Sequence, residues 1–526
     1  VLQLRFVTNN LRPSIFMRLL ACLFVVLFCS LPTQGQTVGV LQRNADRVSD
    51  GYRLFAPAAG FVTYLIDNDG YAVRTWTSAY RPGLAAKLLP GGRLLRMGSP
   101  NVPKPLDVGG AGGILEEFDW SGKLTWTYEL ANDSMRLHHD VTALPNGNFL
   151  VLAWKYTSIS QMVALGRRRE TIDNNFVLNE MILEVKPTRP AGGEIVWQWS
   201  ALDNCVQDAD PDASTFGAID SAWDKIDLHI GQRNQDWLHT NGIDYNPERN
   251  EIAISIRNLN EIFIINHSTG RIVYRWGNPR NYGRGIANDQ RLWFQHAPRW
   301  VRQGRPGFGN ITIFSNNVGR NGMPPFTSSV EEITPPLDAN GNYIVPEHPF
   351  AFEPRTPTWR FDPRQSIAQF YSPNVSGAER LPNGNTLICL GNSGMLYEVT
   401  QDSTIVWAYR SPHGMSGPVR QGEMPQNNMF FYCPWYAADG PELAGQTLTP
   451  MGRIEDGPLS VLDTPQQRAW VVTEGTLVIS EFLDLPRRFS SFDLLGRFLG
   501  SIVAQPGLAS QRIPLPQGSF IVIQSD

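Results

Sequence analysis

The chain has 526 residues, a formal net charge of −4 and only 18% charged residues, so no broad basic field exists to hold nucleic acid. Aromatic residues make up 11%, with 15 Trp, 47 Gly and 39 Pro, a composition that fits a turn-rich all-β protein with a large core. Any anion would have to be recognised locally.

At the N-terminal end, Met17-Arg18 precedes LLACLFVVLFCSL and then PTQGQ. The apolar run is shorter than the ~20 residues that a membrane-crossing helix needs, and it matches a secretory signal over 17–36. The mature chain is expected to begin near Gln36 or Thr37, without a stable membrane span, and to be exported to the periplasm or the cell surface. Cys22 and Cys29 leave with the signal. Cys205, Cys389 and Cys433 remain, an odd number that permits one disulfide at most, and Cys389 within NTLICL reads as a buried apolar residue.

From residue 50 onward a strand-like run, a polar turn and a Trp recur six times. The units end at Trp76, Trp126, Trp197, Trp276, Trp359 and Trp407. Between them lies a second recurring element, a tight turn followed by alternating apolar residues: LPGGRLLR, LPNGNFLVL, NPERNEIAIS, GFGNITIF and LPNGNTLICL. Each unit reads as strands joined by Gly and Asn turns, with no helical period. A six-bladed β-propeller over 37–450 accounts for the repeat, because radial stacking buries both faces of every sheet and shelters its edges.

Three histidine motifs fall at one place in the repeat, just before the turn-strand element: Leu137-His138-His139-Asp140, Leu238-His239-Thr240-Asn241 and Gln295-His296-Ala297-Pro298. Equivalent positions in successive blades lie at one radius and depth, so these imidazoles are expected to converge on the mouth of the central channel. Strand alternation puts Thr240 on the opposite face from its neighbours. Arg257, 18 residues after His239, is expected on the next strand of the same blade, where it needs a partner or a polar channel. His229, His267, His348 and His413 read as surface or loop residues. A metal site would usually add a carboxylate or thiolate; Asp140 is the nearby candidate, and Arg257 would repel the cation. An anion pocket fits better, with Arg and imidazole donors on sulfate, phosphate or carboxylate oxygens and one neutral imidazole as nucleophile.

LHHD with PNGN four residues on, HTNGIDYNP with its Arg257, and QHAPRW before GNITIF together resemble the bacterial arylsulfate sulfotransferases, over most of residues 50–415. The resemblance implies a six-bladed propeller of the cell envelope that moves sulfuryl groups between small aryl sulfates and phenols. It implies no nucleotide sulfate donor and no cofactor. His296 would be the nucleophile that forms a sulfohistidine, and His239 the proton donor to the leaving phenol. Asn241, Arg257 and either His138 or His139 would bind the sulfate, with Thr240 inside the motif. Cys433 has no evident partner for the disulfide common in that family. Against this stands a non-catalytic surface propeller that binds sulfated glycans or a protein; a mere binder gains nothing from an unprotonated His296 beside Arg257. Quinone-dependent dehydrogenase and sialidase chemistry lack their carboxylates and arginine triad here. Whether the chain acts as a monomer or a homodimer is open.

After Trp407 the repeat stops, and the Gly- and Pro-rich stretch to about 456 reads as a last blade segment and a linker. Residues 465–526 alternate as short strands, which suggests a small β-sandwich. FDLLGRFLGSI followed by RIPLPQGSFIVIQ resembles the C-terminal sorting domains of Bacteroidetes proteins exported by the type IX system, and so implies that secretion machinery as a partner. Deleting 465–526 should therefore leave sulfuryl transfer intact and strand the protein in the periplasm; cell fractionation that finds the truncated chain at the surface rejects the sorting role.

Overall fold

The computed structural model describes residues 36–100, 108–320, 327–363 and 370–457, together with the backbone of six strands beyond residue 469. The chain divides into two compact units, 1–459 and 460–526. In the first unit the repeats become the six blades of a β-propeller, each a sheet of at least four antiparallel strands. From axis to rim, blade 2 contains Arg81–Leu89, Arg93–Ser99, Ile114–Phe118 and Leu124–Glu129, and blade 3 contains Met135–Ala143, Phe149–Ser158, Phe176–Pro187 and Gly193–Ser200. Blade 4 contains Thr240–Asn246, Glu251–Ile256, Glu261–Asn266 and Ile272–Trp276, and blade 5 His296–Trp300, Ile311–Ser315, Ser329–Ile333 and Trp359–Phe361. Blade 6 begins with Gly377–Arg380, Thr386–Leu390, Met395–Val399 and Ile405–Arg410.

The first two strands of a blade are joined by the turn that the sequence repeats. In blade 3 the Asn146 side-chain oxygen accepts the Asn148 N–H at 3.0 Å, while Gly147 takes φ 85°. Blade 6 repeats this with Asn383, Gly384 and Asn385. Asn caps its own turn and Gly supplies the left-handed residue, so these dipeptides set the hairpin register.

Adjacent blades are tied by tryptophan. The indole N–H of Trp76, Trp126, Trp199, Trp276, Trp359 and Trp407 donates to the carbonyl oxygen of Asp119, Gly192, Gly270, Pro354, Gln401 and Asn68 respectively, at 2.8–3.0 Å. Each bond runs from the fourth strand of a blade to an outer loop of the next, and the last returns from blade 6 to blade 1. The third tether is Trp199, not the expected Trp197. The two share a strand face, but Trp197 lies partly buried with its ring against His267.

The ring closes at both ends of the chain. Gly39–Arg43 pairs with Ile405–Arg410 at the rim of blade 6. Trp435–Tyr436 supplies the innermost strand of blade 1, ahead of Tyr52–Phe55, Val62–Ile66 and Tyr71–Thr77, and Gly452–Arg453 extends that blade outward. The stretch after Trp407 thus supplies the expected last blade segment, in two strands that close blade 1, and the propeller's sheets reach Arg453. At the seam Arg53 and Glu398, both fully buried, pair at 2.7 Å, and Arg53 lies over the Trp407 ring. Glu398 also accepts Ser49 N–H and the Asn385 amide, so the buried charge is saturated. Cys205, Cys389 and Cys433 are buried free thiols.

In the second unit the backbone forms two three-stranded antiparallel sheets. One orders Trp470–Thr473, Thr476–Ile479 and Gln511–Pro514; the other orders Phe498–Ala504, Arg487–Phe492 and Ile521–Ser525. Of residues 465–526, expected as a sandwich, the structure describes the backbone of these six strands. Signal residues 17–35 lie outside the described residues.

Trp407 is fully buried and makes the tether that completes the circle. Trp407→Phe, which keeps an aromatic ring but loses the N–H, should cost about 1–3 kcal/mol through the orphaned Asn68 carbonyl and lost volume, and Trp407→Ala about 3–5 kcal/mol. Urea midpoints measure both; a midpoint unmoved in Trp407→Phe would show that the bond does not hold the seam.

Candidate active site

The innermost strands carry the chemistry, and those of blades 2 to 5 are bulged. In blade 3, Val141 pairs with Val151 and Leu137 with Ala153, so His138, His139 and Asp140 together face Leu152 alone. In blade 2, Gly83, Leu84 and Ala85 face Met97. In blade 5, Ala297 and Pro298 face Ile313, and in blade 4 Asn241 is an extra residue between the Thr240–Ile256 and Gly242–Ser255 pairs. Bulges re-aim side chains that regular alternation would send elsewhere. They are accompanied by left-handed backbone at Leu84, His139, His239, Phe294 and Ala297. Strained non-glycine conformations of this kind concentrate at functional sites.

His139, His239, His296 and Arg257 meet at this level. The His139 and His239 rings lie edge to face at 4.7 Å, and His139 is also within electrostatic reach of His296 and Arg257. A Cβ on Gly110 would come within 2.5 Å of the His139 ring, so only glycine leaves it room. His138 turns the other way: its ring stacks on Trp154 at 4.1 Å and its Nε2 lies 3.1 Å from a Glu180 oxygen. Arg257 does not lie on a strand. The strand ends at Ile256, and Arg257 opens a 3-10 turn over Arg257–Leu259, with its guanidinium 4.3 Å from the Phe294 ring. Thr240 is buried, and its N–H donates to Glu180 at 2.9 Å. The Asn241 amide donates to the Gln295 carbonyl at 3.0 Å, and its own side-chain oxygen is buried without a partner.

His296 is held in one tautomer. Asn316 donates its amide N–H groups to the Ser372 and Val375 carbonyls, so its oxygen faces His296 Nδ1 at 2.7 Å. An amide oxygen accepts, hence Nδ1 carries the proton and Nε2 a lone pair. The Val375 N–H, from a residue at φ 52°, donates to that lone pair at 3.1 Å. Burial drives the His296 pKa down to about 3, with the Arg257 and His239 charges adding to the fall and the Asn316 bond opposing it. His139 is also lowered far below an ordinary imidazole, by burial first and then by His239, His138, His296 and Arg257. His239 Nδ1 lies 2.5 Å from an Asp236 oxygen.

Asp140, the carboxylate nearest the motif, is used up. One oxygen accepts from Arg299 at 2.7 Å and from Ile243 N–H, and the other lies 3.3 Å from Lys87. Arg299 and Lys87 hold its pKa below the usual carboxylate range although burial opposes them. Two of the remaining histidines are not surface residues: His413 is buried beside Gly60, and His267 is pinned between Trp197, Tyr245 and Glu184. Glu180, Asp236, Asn316 and the Val375 amide were not anticipated from sequence. Glu180, a carboxylate within the apolar run VLNEMILEV, and Asp236, three residues before His239, carried a signal; the Val375 amide carried none.

Such a site offers a cation, one neutral imidazole with a directed lone pair, and an imidazole backed by a carboxylate. The sequence matches the family model described as arylsulfotransferase (ASST) over residues 62–415, more than half of the chain. The chain belongs to the arylsulfotransferase family, whose members are sulfotransferases. No curated protein matches the sequence. Solved structures similar to it include a protein of unknown function from Bacteroides caccae, at 13% identity over 69% of this chain and 94% of that one, TM-score 0.37. The propeller domain of Myceliophteria thermophila Cps50 (Swd1) is 11% identical over 72% of this chain and 88% of its own, TM-score 0.34. At these scores the likeness carries no argument about this arylsulfotransferase.

The lowered imidazoles bear on stability. Protonating His296 is unfavourable in the folded chain and not in the unfolded one, so between about pH 6.5 and about 3 the unfolded state binds more protons. Stability is full above this window and is lost as pH falls through it. His296→Gln should flatten the decline in urea midpoint between pH 7 and pH 4 relative to wild type; parallel profiles would mean that His296 titrates as an ordinary histidine.

Proposed function

We propose that this arylsulfotransferase moves a sulfuryl group from an aryl sulfate donor to a phenolic acceptor through a covalent intermediate on His296. The observation that carries this reading is the state of His296: buried, neutral near pH 7, its proton fixed on Nδ1 by Asn316, its Nε2 lone pair met by the Val375 N–H, and Arg257 within electrostatic reach. A binder of anions would be served better by a protonated imidazole. A nucleophile requires the lone pair.

In the first half-reaction the donor's sulfuryl oxygens lie against Arg257 and the Asn241 amide, with His139 alongside. Nε2 of His296 attacks sulfur; the S–N bond forms as the S–O bond to the aryl group breaks. Charge spreads over the equatorial oxygens as in phosphoryl transfer, and fixed donors around them are each worth roughly 3–4 kcal/mol in the transition state. The Val375 N–H, which points at Nε2 in the free site, is positioned to move to a sulfuryl oxygen as the S–N bond forms. The departing phenolate takes a proton from Nε2 of His239 in its imidazolium form, whose Nδ1–H is held by Asp236. The second half-reaction runs in reverse with the acceptor phenol: its oxygen bonds to sulfur, the S–N bond breaks, and its proton passes to an imidazole of the site.

Secretion completes the proposal. The segment 17–36, read as a secretory signal, and the resemblance of FDLLGRFLGSI and RIPLPQGSFIVIQ to sorting domains motivate export, with aryl sulfates met outside the cytoplasm, where no nucleotide sulfate donor is required.

Mixing enzyme with an aryl sulfate alone should release a stoichiometric burst of phenol, with ping-pong kinetics once an acceptor is added. Mass spectrometry under non-acidic conditions should find the sulfuryl adduct on the peptide containing Gln295-His296-Ala297. His296→Ala should abolish burst and adduct. His239→Ala should slow the burst by on the order of 10²-fold, least for acidic leaving phenols. Sequential kinetics without an adduct reject the covalent route, and an adduct on His239 overturns the roles.

A further inference from the structure

His138 and Glu180 remain without a role in that mechanism, yet they are arranged as a wire that ends on His139. Glu180 is buried, and one of its oxygens already accepts the Thr240 N–H at 2.9 Å and the Trp154 indole N–H at 3.3 Å. Its other oxygen lies 3.1 Å from His138 Nε2, a charge contact outside hydrogen-bond geometry, and neither of those two buried atoms has a hydrogen-bond partner. The His138 ring is locked parallel to Trp154, with an interplanar angle of 7°. Its other nitrogen, Nδ1, lies 2.9 Å from His139 Nδ1.

Two nitrogens in contact need one proton between them. An ionised carboxylate only accepts, so His138 carries its proton on Nε2, facing Glu180, and presents a bare Nδ1. His139 must then carry its proton on Nδ1, which leaves its Nε2 bare. The ring as a whole packs against Gly110 and lies within the cluster of His239, His296 and Arg257. A bare nitrogen donates nothing to a sulfate oxygen, but it accepts the proton of a phenol.

We infer that Glu180 and His138 are positioning residues that fix the tautomer of His139, so that His139 acts as the base for the acceptor phenol rather than as a sulfate donor. The inference rests on the sulfuryl transfer proposed above. As the acceptor oxygen bonds to sulfur and the S–Nε2 bond of His296 breaks, the phenolic proton passes to His139 Nε2. The resulting imidazolium keeps its Nδ1–H bond to His138, whose Nε2–H faces the Glu180 carboxylate, so the new positive charge is balanced along the wire. His139 then gives this proton up to solvent as the new aryl sulfate leaves, and His239 takes one back from solvent, restoring the acid for the next donor. Over a full cycle no proton is gained or lost. Burial first, and then the His239, His138, His296 and Arg257 charges, disfavour a cation at His139 in the free site, and bound sulfuryl oxygens offset the cationic part of that field.

The wire makes an unusual prediction for Glu180→Gln. The amide oxygen is required by the Thr240 and Trp154 N–H groups, so the amide N–H turns to His138 Nε2. His138 must then move its proton to Nδ1, and His139 in turn to Nε2: a nearly isosteric change two residues away inverts the tautomer at the site. Nitrogen-15 spectra of histidine-labelled enzyme, assigned with His138→Gln and His139→Gln, read this without substrate. Wild type should show His139 protonated at Nδ1 and bare at Nε2, and Glu180→Gln the reverse. In single turnovers of the sulfuryl-enzyme, Glu180→Gln should slow transfer to weakly acidic phenols by on the order of 10²-fold and spare nitrophenols that are already ionised. A wild-type His139 protonated at Nε2 overturns the inference, and that spectrum needs no variant to fold. So does an equal loss for every acceptor, the mark of a structural role. A wild-type enzyme that transfers no sulfuryl group would instead reject the function proposed above, while the tautomers could still be read.

Discussion

The propeller depends on one repeated hydrogen bond, from an indole N–H at the rim of one blade to a carbonyl in an outer loop of the next. Six such bonds form a closed circuit, the last returning from Trp407 to Asn68. A buried indole must satisfy its single donor, and an outer loop has carbonyls that no strand uses. Each tryptophan therefore meets two needs at once, filling the gap between neighbouring sheets and fixing their rotation. Because the blades cannot rotate independently, the innermost strands arrive at the axis in register. His139, His239 and His296 come from three different blades, and only this constraint makes their meeting reproducible.

Given that register, the bulges decide which side chains face the centre. The extra residues at His138–Asp140, Asn241 and Ala297–Pro298 break the two-residue alternation where the chemistry lies. The same strands also supply Lys87 and Arg299, which share the single carboxylate of Asp140. Carboxylates near the upper cluster are similarly occupied: Asp236 by His239, Glu180 by His138, Thr240 and Trp154. The site therefore stays cationic at Arg257, and two of its imidazoles are held neutral.

How far the sequence discloses this follows from what recurs. A blade needs its turn and its tryptophan every time, so PNGN and the Trp positions are legible, as are histidines placed relative to them. Trp199 was mistaken for Trp197 because both satisfy strand alternation, and only the bond to Gly270 separates them. Arg257 was put on a strand because nothing in EIAISIRNLNE marks the 3-10 turn that begins there. Bulges were invisible, since an inserted residue leaves no compositional trace. Asn316 and Val375 act on His296 from 20 and 79 residues away, along parts of the chain that the repeat does not index. His413 looked like a loop residue because GMSGP beside it is polar and glycine-rich; it is buried because the closing segment folds back under blade 1.

That closure has a consequence for how the chain is made. Strand Gly39–Arg43 leaves the ribosome early, yet the strand it pairs with, Ile405–Arg410, is synthesised some 370 residues later, as the bond from Arg410 to Thr37 shows. Blades 2 to 5 are each contiguous in sequence and can fold as they emerge, whereas blade 1 must wait for Trp435–Tyr436 to cover its inner edge. For most of translation the nascent protein is an open arc with two exposed strand edges, which are templates for mispairing until the seam forms. The long-range search is paid for once, at the end, with Arg53 and Glu398 buried together in the last step. A chain carried across a membrane before that moment would travel without its seam, and the same two segments would clasp on the far side.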